Sequence, residues 1–237
     1  MNSLEGKVAF ITGGSKGIGY GVAEALLKLK MKVAITSRSL ENAEEAAKEL
    51  GNSDSVLGLE ADVRDYDSQK KAIDEVVKKW GHMDVLIANA GVGHFGNIQE
   101  LSPEDWKETI DTNLTGVFYS VKAGVEALTS SEGYVITISS LAGTNFFAGG
   151  AAYNASKFGL TGFSQAIMLD LRDKGVKVST IMPGSVATHF NDHQPNEQDA
   201  WKIQPEDIGE LVTDLLKMNP RTLPSKIEVR PSQPPKK

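Results

Sequence analysis

Apolar and polar positions along the chain fall into two alternating patterns. Short unbroken apolar runs, such as Val8-Ala9-Phe10-Ile11, read as strands buried on both faces. Longer stretches between them repeat apolar residues every three or four positions, the pattern of helices packed along one side. The runs predict strands at Lys7–Thr12, Lys32–Ser37, Val56–Glu60, Asp84–Asn89, Gly133–Ser139, Val176–Met182 and Lys226–Val229. The periodic stretches predict helices at Ile18–Leu29, Leu40–Leu50, Ser68–Trp80, Pro103–Leu128, Ala152–Arg172 and Pro205–Lys217. Ser102-Pro103-Glu104-Asp105 supplies an N-cap, a proline at the first helical position and acids in the first turn. Gln204-Pro205-Glu206-Asp207 repeats the Pro-acid-acid order, and Gly51 and Gly175 stand where helices end.

Buried strands alternating with helices define the α/β class. Right-handed crossovers then wind a parallel sheet of about seven strands with helices on both faces. There is no internal repeat and no composition break, so residues 1–230 read as a single domain. Residues 231–237, rich in proline and lysine, read as a loosely held tail. Ligands of such sheets bind outside the carboxyl ends of the strands. The segments to inspect there are Thr12–Gly19, Ser37-Arg38, Asp62-Val63, Asn89-Ala90-Gly91, Ser139-Ser140 and Pro183-Gly184.

Thr12–Gly19 follows the first strand and opens the first helix. Strand, glycine turn and helix together form the context of a Rossmann-type phosphate site. Glycines allow a tight turn and close approach of a pyrophosphate, and the helix start offers free N–H groups to the anion. The candidate contacts are Gly13, Ser15, Lys16, Gly17, Ile18 and Gly19.

Composition narrows the partners. The 237 residues carry a net charge of -6, which argues against a general nucleic-acid or anionic-membrane binder. With no cysteine, disulfides, cysteine-ligated zinc and thiol catalysis are excluded. The start Met1–Lys7 lacks the basic and apolar regions of a signal peptide, and no apolar run approaches a membrane span of about 18 residues. The expectation is a soluble cytoplasmic protein with a small-molecule substrate.

Ser140, Tyr153 and Lys157 form the second constellation. Tyr153 and Lys157 are four apart on one helical face, and Ser140 ends a strand. Reducing a carbonyl requires a hydride from a cofactor, a donor that polarises the oxygen and an acid that protonates it. Tyrosine, with a reference pKa near 10, needs about 4 kcal/mol to reach neutrality. One ammonium about 4 Å away, at an effective dielectric near 20, supplies about that much. The expectation is that Lys157 lowers the Tyr153 pKa.

The ordered set of motifs resembles the short-chain dehydrogenase/reductase family from about Leu4 to Val229. Thr12-Gly13-x-x-x-Gly17-x-Gly19 matches the family's cofactor loop. Asp62, with Val63, matches the acid expected near the adenine. Asn89-Ala90-Gly91 matches the segment after the fourth strand, although Ala88 replaces the usual preceding Asn. The resemblance implies that Asn113 holds a water in a proton relay. It also implies that Ser140, thirteen residues before Tyr153, orients the carbonyl in preference to Ser139. Tyr153 would be the acid/base, and Lys157 would hold the nicotinamide ribose. Pro183-Gly184-x-Val186-x-Thr188 matches the loop beside the nicotinamide. The resemblance further implies a homodimer or homotetramer, with Phe118, Val121, Phe158 and Phe163 suited to helix pairing between subunits.

The end of the second strand selects the cofactor. A carboxylate there binds the adenosine ribose hydroxyls and repels a 2′-phosphate. Ser37 occupies that position, Arg38 follows, and Lys16 lies in the glycine loop. Two cations and no acid predict NADP, with NAD second.

The remaining residues carry smaller expectations. His94 is a solvated loop residue that borders the substrate site. His189 and His193 lack a glutamate partner in a zinc-binding frame, so no metal is expected. Trp106 and Phe118 serve core or subunit packing. Thr188 to about Lys202 forms a short polar lid, which predicts an open site with few apolar walls. Phe95, Ala142, Gly143, Asn145 and Phe146 are further candidate contacts. The overall expectation is an NADPH-dependent carbonyl reductase. A 3-oxoacyl-carrier-protein reductase, an NAD-linked alcohol or polyol dehydrogenase and a non-catalytic dinucleotide-binding regulator follow in that order.

Overall fold

A computed structural model describes residues 3–233. The elements alternate as the sequence predicts: β1 (Val8–Ile11), α1 (Gly17–Lys28), β2 (Lys32–Ser37), α2 (Leu40–Leu50), β3 (Val56–Glu60), α3 (Tyr66–Trp80) and β4 (Val85–Ala88). There follow α4 (Pro103–Ile110), α5 (Gly116–Ser130), β5 (Tyr134–Ile138), α6 (Ala151–Leu171), β6 (Lys177–Pro183), α7 (Pro205–Lys217) and β7 (Lys226–Val229). All seven strands are parallel in the order β3-β2-β1-β4-β5-β6-β7. The order reverses beside β1, which places the crevice between the ends of β1 and β4.

Alternation along each strand builds two cores. Ala9 and Ile11 of β1 face α1, α2 and α7, packing with Leu26, Ile35 and Ile208. Val8 and Phe10 face α3, α5 and α6, packing with Ile73, Leu128 and Leu160. A period of two on a sheet covered on both sides therefore gives a continuous apolar run in sequence.

Local chemistry sets the helix starts. Ser39 accepts from Asn42 N at 3.3 Å, and Ser102 accepts from Asp105 N at 3.0 Å. Asp65 caps α3 by accepting from Asp67 N and Ser68 N, which starts that helix at Tyr66 rather than Ser68. Gly175 ends the α6 region at φ +76°, whereas Gly51 is extended.

The long helix predicted over Pro103–Leu128 is interrupted. Asp111–Thr115 form one wide π turn, in which Gly116 N bonds to Asp111 O. No proline marks the break; its cause is tertiary. Asn113 in that turn is fully buried. Its Oδ1 accepts from Val92 N at 2.8 Å, and its Nδ2 donates to Val92 O and Ser156 Oγ at 2.8 and 3.1 Å.

Trp106 and Phe118 are exposed rather than core residues, as is Phe158, while Val121 is buried. Gly184 N donates to Val229 O at 2.8 Å, and Pro231 and Gln233 continue along the crevice wall. Pro234 to Lys237 lie outside the described residues. Among the described residues no helix is long and apolar enough to cross a membrane.

Candidate active site

A crevice of about 1850 Å³ lies outside the carboxyl ends of the strands. Of the predicted catalytic and cofactor-binding residues, all but Gly19 and Asn113 line it. Those two sit beneath its floor, Gly19 under the loop backbone at Gly13 and Asn113 under Val92.

The glycine loop is tied to its neighbours at several points. Thr12 N donates to Ile87 O, and Gly14 N to Thr36 O, both at 3.0 Å. Thr12 Oγ1 accepts from Asn89 N at 3.0 Å and Ala90 N at 3.1 Å. Asn89 Nδ2 donates to the carbonyls of Thr12 and Gly13, each at 2.9 Å. The Asn89 side chain thus holds the loop in place from β4. Gly13 adopts φ +63°, and a Cβ there would lie 2.9 Å from Ala90 Cα. Only glycine meets both constraints.

Helix α1 starts at Gly17 behind Lys16, with no side-chain cap and no acid in its first turn. Helices α2, α3 and α4 each carry a capping side chain. The first N–H groups and the positive dipole end of α1 thus remain available to an anion, which fits a dinucleotide pyrophosphate.

The end of β2 is more heavily charged than the sequence suggests. Ser37, Arg38 and Lys16 line the crevice as predicted. Arg64 joins them, gripping Asp62 with Nη2–Oδ2 at 2.7 Å and Nε–Oδ1 at 3.0 Å. The Arg64 guanidinium holds the Asp62 carboxyl below the usual carboxylate range. Glu108 of α4 reaches back across the crevice to Arg64 at 3.4 Å and Arg38 at 3.6 Å. His94 is not a free loop residue: its Nε2 lies 3.0 Å from Glu108 Oε2, and its Nδ1 lies 3.3 Å from Asp105 Oδ1. Neither Arg64 nor Glu108 is among the residues expected at the site from the sequence. Arg64 was legible two residues after Asp62, but Glu108 was not, because only the fold brings α4 to β2.

The two serines after β5 point in opposite directions. Ser139 Oγ is buried against Thr161 Oγ1 at 3.2 Å and Lys157 O at 3.3 Å. Ser140 faces the crevice, accepting from Ala142 N at 3.1 Å. Tyr153 and Lys157 share the inner face of α6. Lys157 is only 4 % exposed, and its Nζ donates to Ile138 O at 3.0 Å. It lies 5.6 Å from the Tyr153 ring centroid.

Burial lowers the Lys157 pKa to about 8. Burial also pushes the Tyr153 phenol above its usual value, with the neighbouring Ser140 hydroxyl working the other way. This corrects the expectation of a lowered Tyr153 pKa. The ammonium is turned toward a carbonyl, and desolvation of the phenolate is the larger effect.

The lid departs from the polar, open picture. Ala187 N donates to Ile203 O and Ile203 N to Ser185 O, anchoring both ends. His193 Nε2 lies 2.6 Å from Asp199 Oδ2, and Lys202 Nζ lies 2.6 Å from Asp199 Oδ1. Phe190 turns inward and packs with Phe95 on the Tyr153 ring, and Phe147 packs against Phe95. The site therefore has aromatic walls. Ala142 and Asn145 line the crevice, while Gly143 is buried against α6 and Phe146 stands exposed outside it. Phe147 went unmarked in the sequence, although Phe146-Phe147 in a polar loop was a visible signal.

Residues 7–199 match the family model of the short chain dehydrogenases. The chain belongs to the short chain dehydrogenase family. It is an oxidoreductase. It is 33% identical over 210 residues to a 3-oxoacyl-[acyl-carrier-protein] reductase of Salmonella typhimurium, covering 88% of this chain and 85% of the relative. Its fold matches an alcohol dehydrogenase from the archaeon Thermococcus sibiricus complexed with 5-hydroxy-NADP. The TM-score is 0.91 at 30% identity, over 98% of this chain and 100% of that one. A 3-ketoacyl-(acyl-carrier-protein) reductase from Brucella melitensis, complexed with NADH, matches with a TM-score of 0.88 at 25% identity, over 97% and 99% of the two chains. Structural neighbours thus carry either nicotinamide.

Proposed function

We propose that this short-chain dehydrogenase reduces a ketone or aldehyde with NADPH, Tyr153 acting as the proton donor. The observation that carries the reading is the convergence of Ser140, Tyr153 and Lys157 in one crevice with the uncapped start of α1. A nicotinamide cofactor, when bound, supplies the hydride that no side chain can give. Ser140 Oγ then donates to the carbonyl oxygen and fixes its direction. Tyr153, which keeps its proton at neutral pH because burial raises its pKa, delivers that proton to the developing alkoxide. Lys157 remains charged below about pH 8 and stabilises negative charge as the phenol gives up its proton. Asn113 fixes Val92 and Ser156 around this centre.

Lys16, Arg38 and Arg64 around Ser37 support a preference for the 2′-phosphorylated cofactor. Glu108 keeps Arg38 at the crevice edge. Charge-assisted hydrogen bonds are worth about 1.5–3 kcal/mol, so Arg38→Asp should cut the NADPH-over-NADH ratio of kcat/KM by about 10- to 100-fold. Oxidation of each cofactor, followed by absorbance over a panel of ketones, aldehydes and 3-oxoacyl thioesters, gives that ratio and tests the reaction class. Equal ratios in wild type and variant would remove Arg38 from cofactor selection. Best turnover with 3-oxoacyl thioesters would favour the second reading, a 3-oxoacyl thioester reductase, which the similarity to the Salmonella enzyme supports.

The exposed Trp106, Phe118 and Phe158 support assembly through α4, α5 and α6. A homodimer or homotetramer is expected by light scattering. A monomer at micromolar concentration would set that assembly aside.

A further inference from the structure

Three phenylalanines from three separate loops form a connected cluster at the proposed proton donor, Phe95 and Phe190 on the Tyr153 ring and Phe147 behind Phe95. Phe95 follows β4, Phe147 precedes α6 and Phe190 belongs to the lid. Phe95 lies 5.3 Å from the Tyr153 ring, 5.9 Å from Phe147 and 6.4 Å from Phe190, and Phe190 lies 5.7 Å from Tyr153. Their planes are inclined by 45° to 66°, the tilted and edge-to-face contacts that ring quadrupoles favour. The backbone accommodates this cluster. A Cβ on Gly93 would come within 2.6 Å of Phe190 Cζ and 2.9 Å of Phe95 Cε2. Any larger residue at Gly93 would push the rings apart.

The cluster is not a closed core. Phe95 is 43 % exposed, Phe147 50 % and Phe190 37 %. Apolar surface left in water at the edge of a polar crevice is covered with a gain in free energy when an apolar group enters. Beside it stand the hydroxyls of Ser140 and Tyr153. The site thus offers one polar point for an oxygen and tilted aromatic walls for whatever adjoins that oxygen. A flat ring meets such walls through both its edges and its faces. A saturated ring of equal size offers only C–H contacts, and a thioester on a long flexible arm places little rigid surface there.

Resting on the reading that Tyr153 protonates a carbonyl oxygen, we propose that the substrate is a ketone or aldehyde carrying an aryl ring within a bond or two of the carbonyl carbon. Phe95, Phe147 and Phe190 form its ring subsite.

The test compares phenylacetone with cyclohexylacetone, which share a carbon count and an unconjugated carbonyl, and with a 3-oxoacyl thioester. Each is measured with wild type, Phe190→Leu and Phe147→Leu, the second variant guarding against a fold lost in the first. Two ring contacts of the usual worth give wild type a kcat/KM about tenfold higher for phenylacetone than for cyclohexylacetone. Either leucine variant should lower that ratio by about threefold or more, because leucine keeps apolar volume but loses the ring. A ratio near one in wild type, with turnover still lost in Tyr153→Phe, overturns the aryl subsite and leaves the proton donor standing. A thioester preferred over both ketones, with both leucine variants silent, also overturns it. No nicotinamide-dependent turnover of any carbonyl, in wild type and Tyr153→Phe alike, would instead remove the reading beneath it.

Discussion

Tyr153→Phe should lower the turnover number for carbonyl reduction by roughly 10³-fold, within the range that a positioned proton donor contributes. The substitution removes one oxygen and leaves the ring. Its contacts with Phe95 at 5.3 Å, Phe190 at 5.7 Å and Lys157 at 5.6 Å depend on the ring and not the hydroxyl. The phenol faces the crevice, so removing its oxygen strands no buried partner. Stability should change by less than about 1 kcal/mol. Cofactor affinity should persist, since the glycine loop and the start of α1 are untouched. Saturation kinetics for the carbonyl, beside a fluorescence titration of NADPH, separate the two effects. Turnover close to wild type would assign the proton to another group, and joint loss of turnover and cofactor binding would make Tyr153 a packing residue.

Lys157→Met should do something less intuitive: abolish most turnover and stabilise the unliganded protein at pH 7. The ammonium is 4 % exposed, and burial brings its pKa from 10.5 to about 8. A folded-state pKa below the unfolded value means that folding at neutral pH carries the cost of keeping a buried charge. Two and a half pH units correspond to about 3 kcal/mol. Methionine keeps the stem and loses the charge, and it also loses the bond to Ile138 O, which returns about 1 kcal/mol. The net gain of about 2 kcal/mol would raise Tm by about 4–8 °C. The sign with pH is fixed by linkage. The cost is complete below about pH 8, shrinks as the folded-state lysine loses its proton, and is gone above the unfolded-state value near 10.5. The Tm advantage should therefore be smaller at pH 9 than at pH 7. An equal or lower Tm for the variant at pH 7 would contradict a costly buried ammonium. A raised Tm would mean that Lys157 lowers folding stability for the sake of the reaction, a trade expected of a functional group.

The strands and their order of appearance were legible because a doubly covered parallel sheet writes unbroken apolar runs into the sequence. Val8–Ile11 and Tyr134–Ile138 are examples. Capping chemistry read well wherever it was local, as at Ser102. The wide turn at Asp111–Thr115 was not legible, because Asn113 is held by Val92 and Ser156, both distant in sequence. The same limit hid Glu108, which reaches Arg38 and Arg64 from another element. Of the aromatic surroundings of Tyr153, Phe95 alone was legible as a candidate contact. Phe147 and Phe190 sit in loops of polar composition, and a lid read by its average polarity conceals one inward ring. The direction of the Tyr153 shift was misread because spacing places Lys157 on the same face but says nothing about where its Nζ turns. Here it turns to Ile138 O.

The path of the chain beyond β7 matters in practice. Arg230, Pro231 and Gln233 border the crevice, whereas the chain enters β1 at Val8, on the opposite end of the parallel sheet. The two stretches are thus inequivalent sites for substitution. Changes at Arg230 or Pro231 act on access to the crevice, whereas changes at Leu4 to Lys7 act behind the sheet and should leave the kinetics as they are.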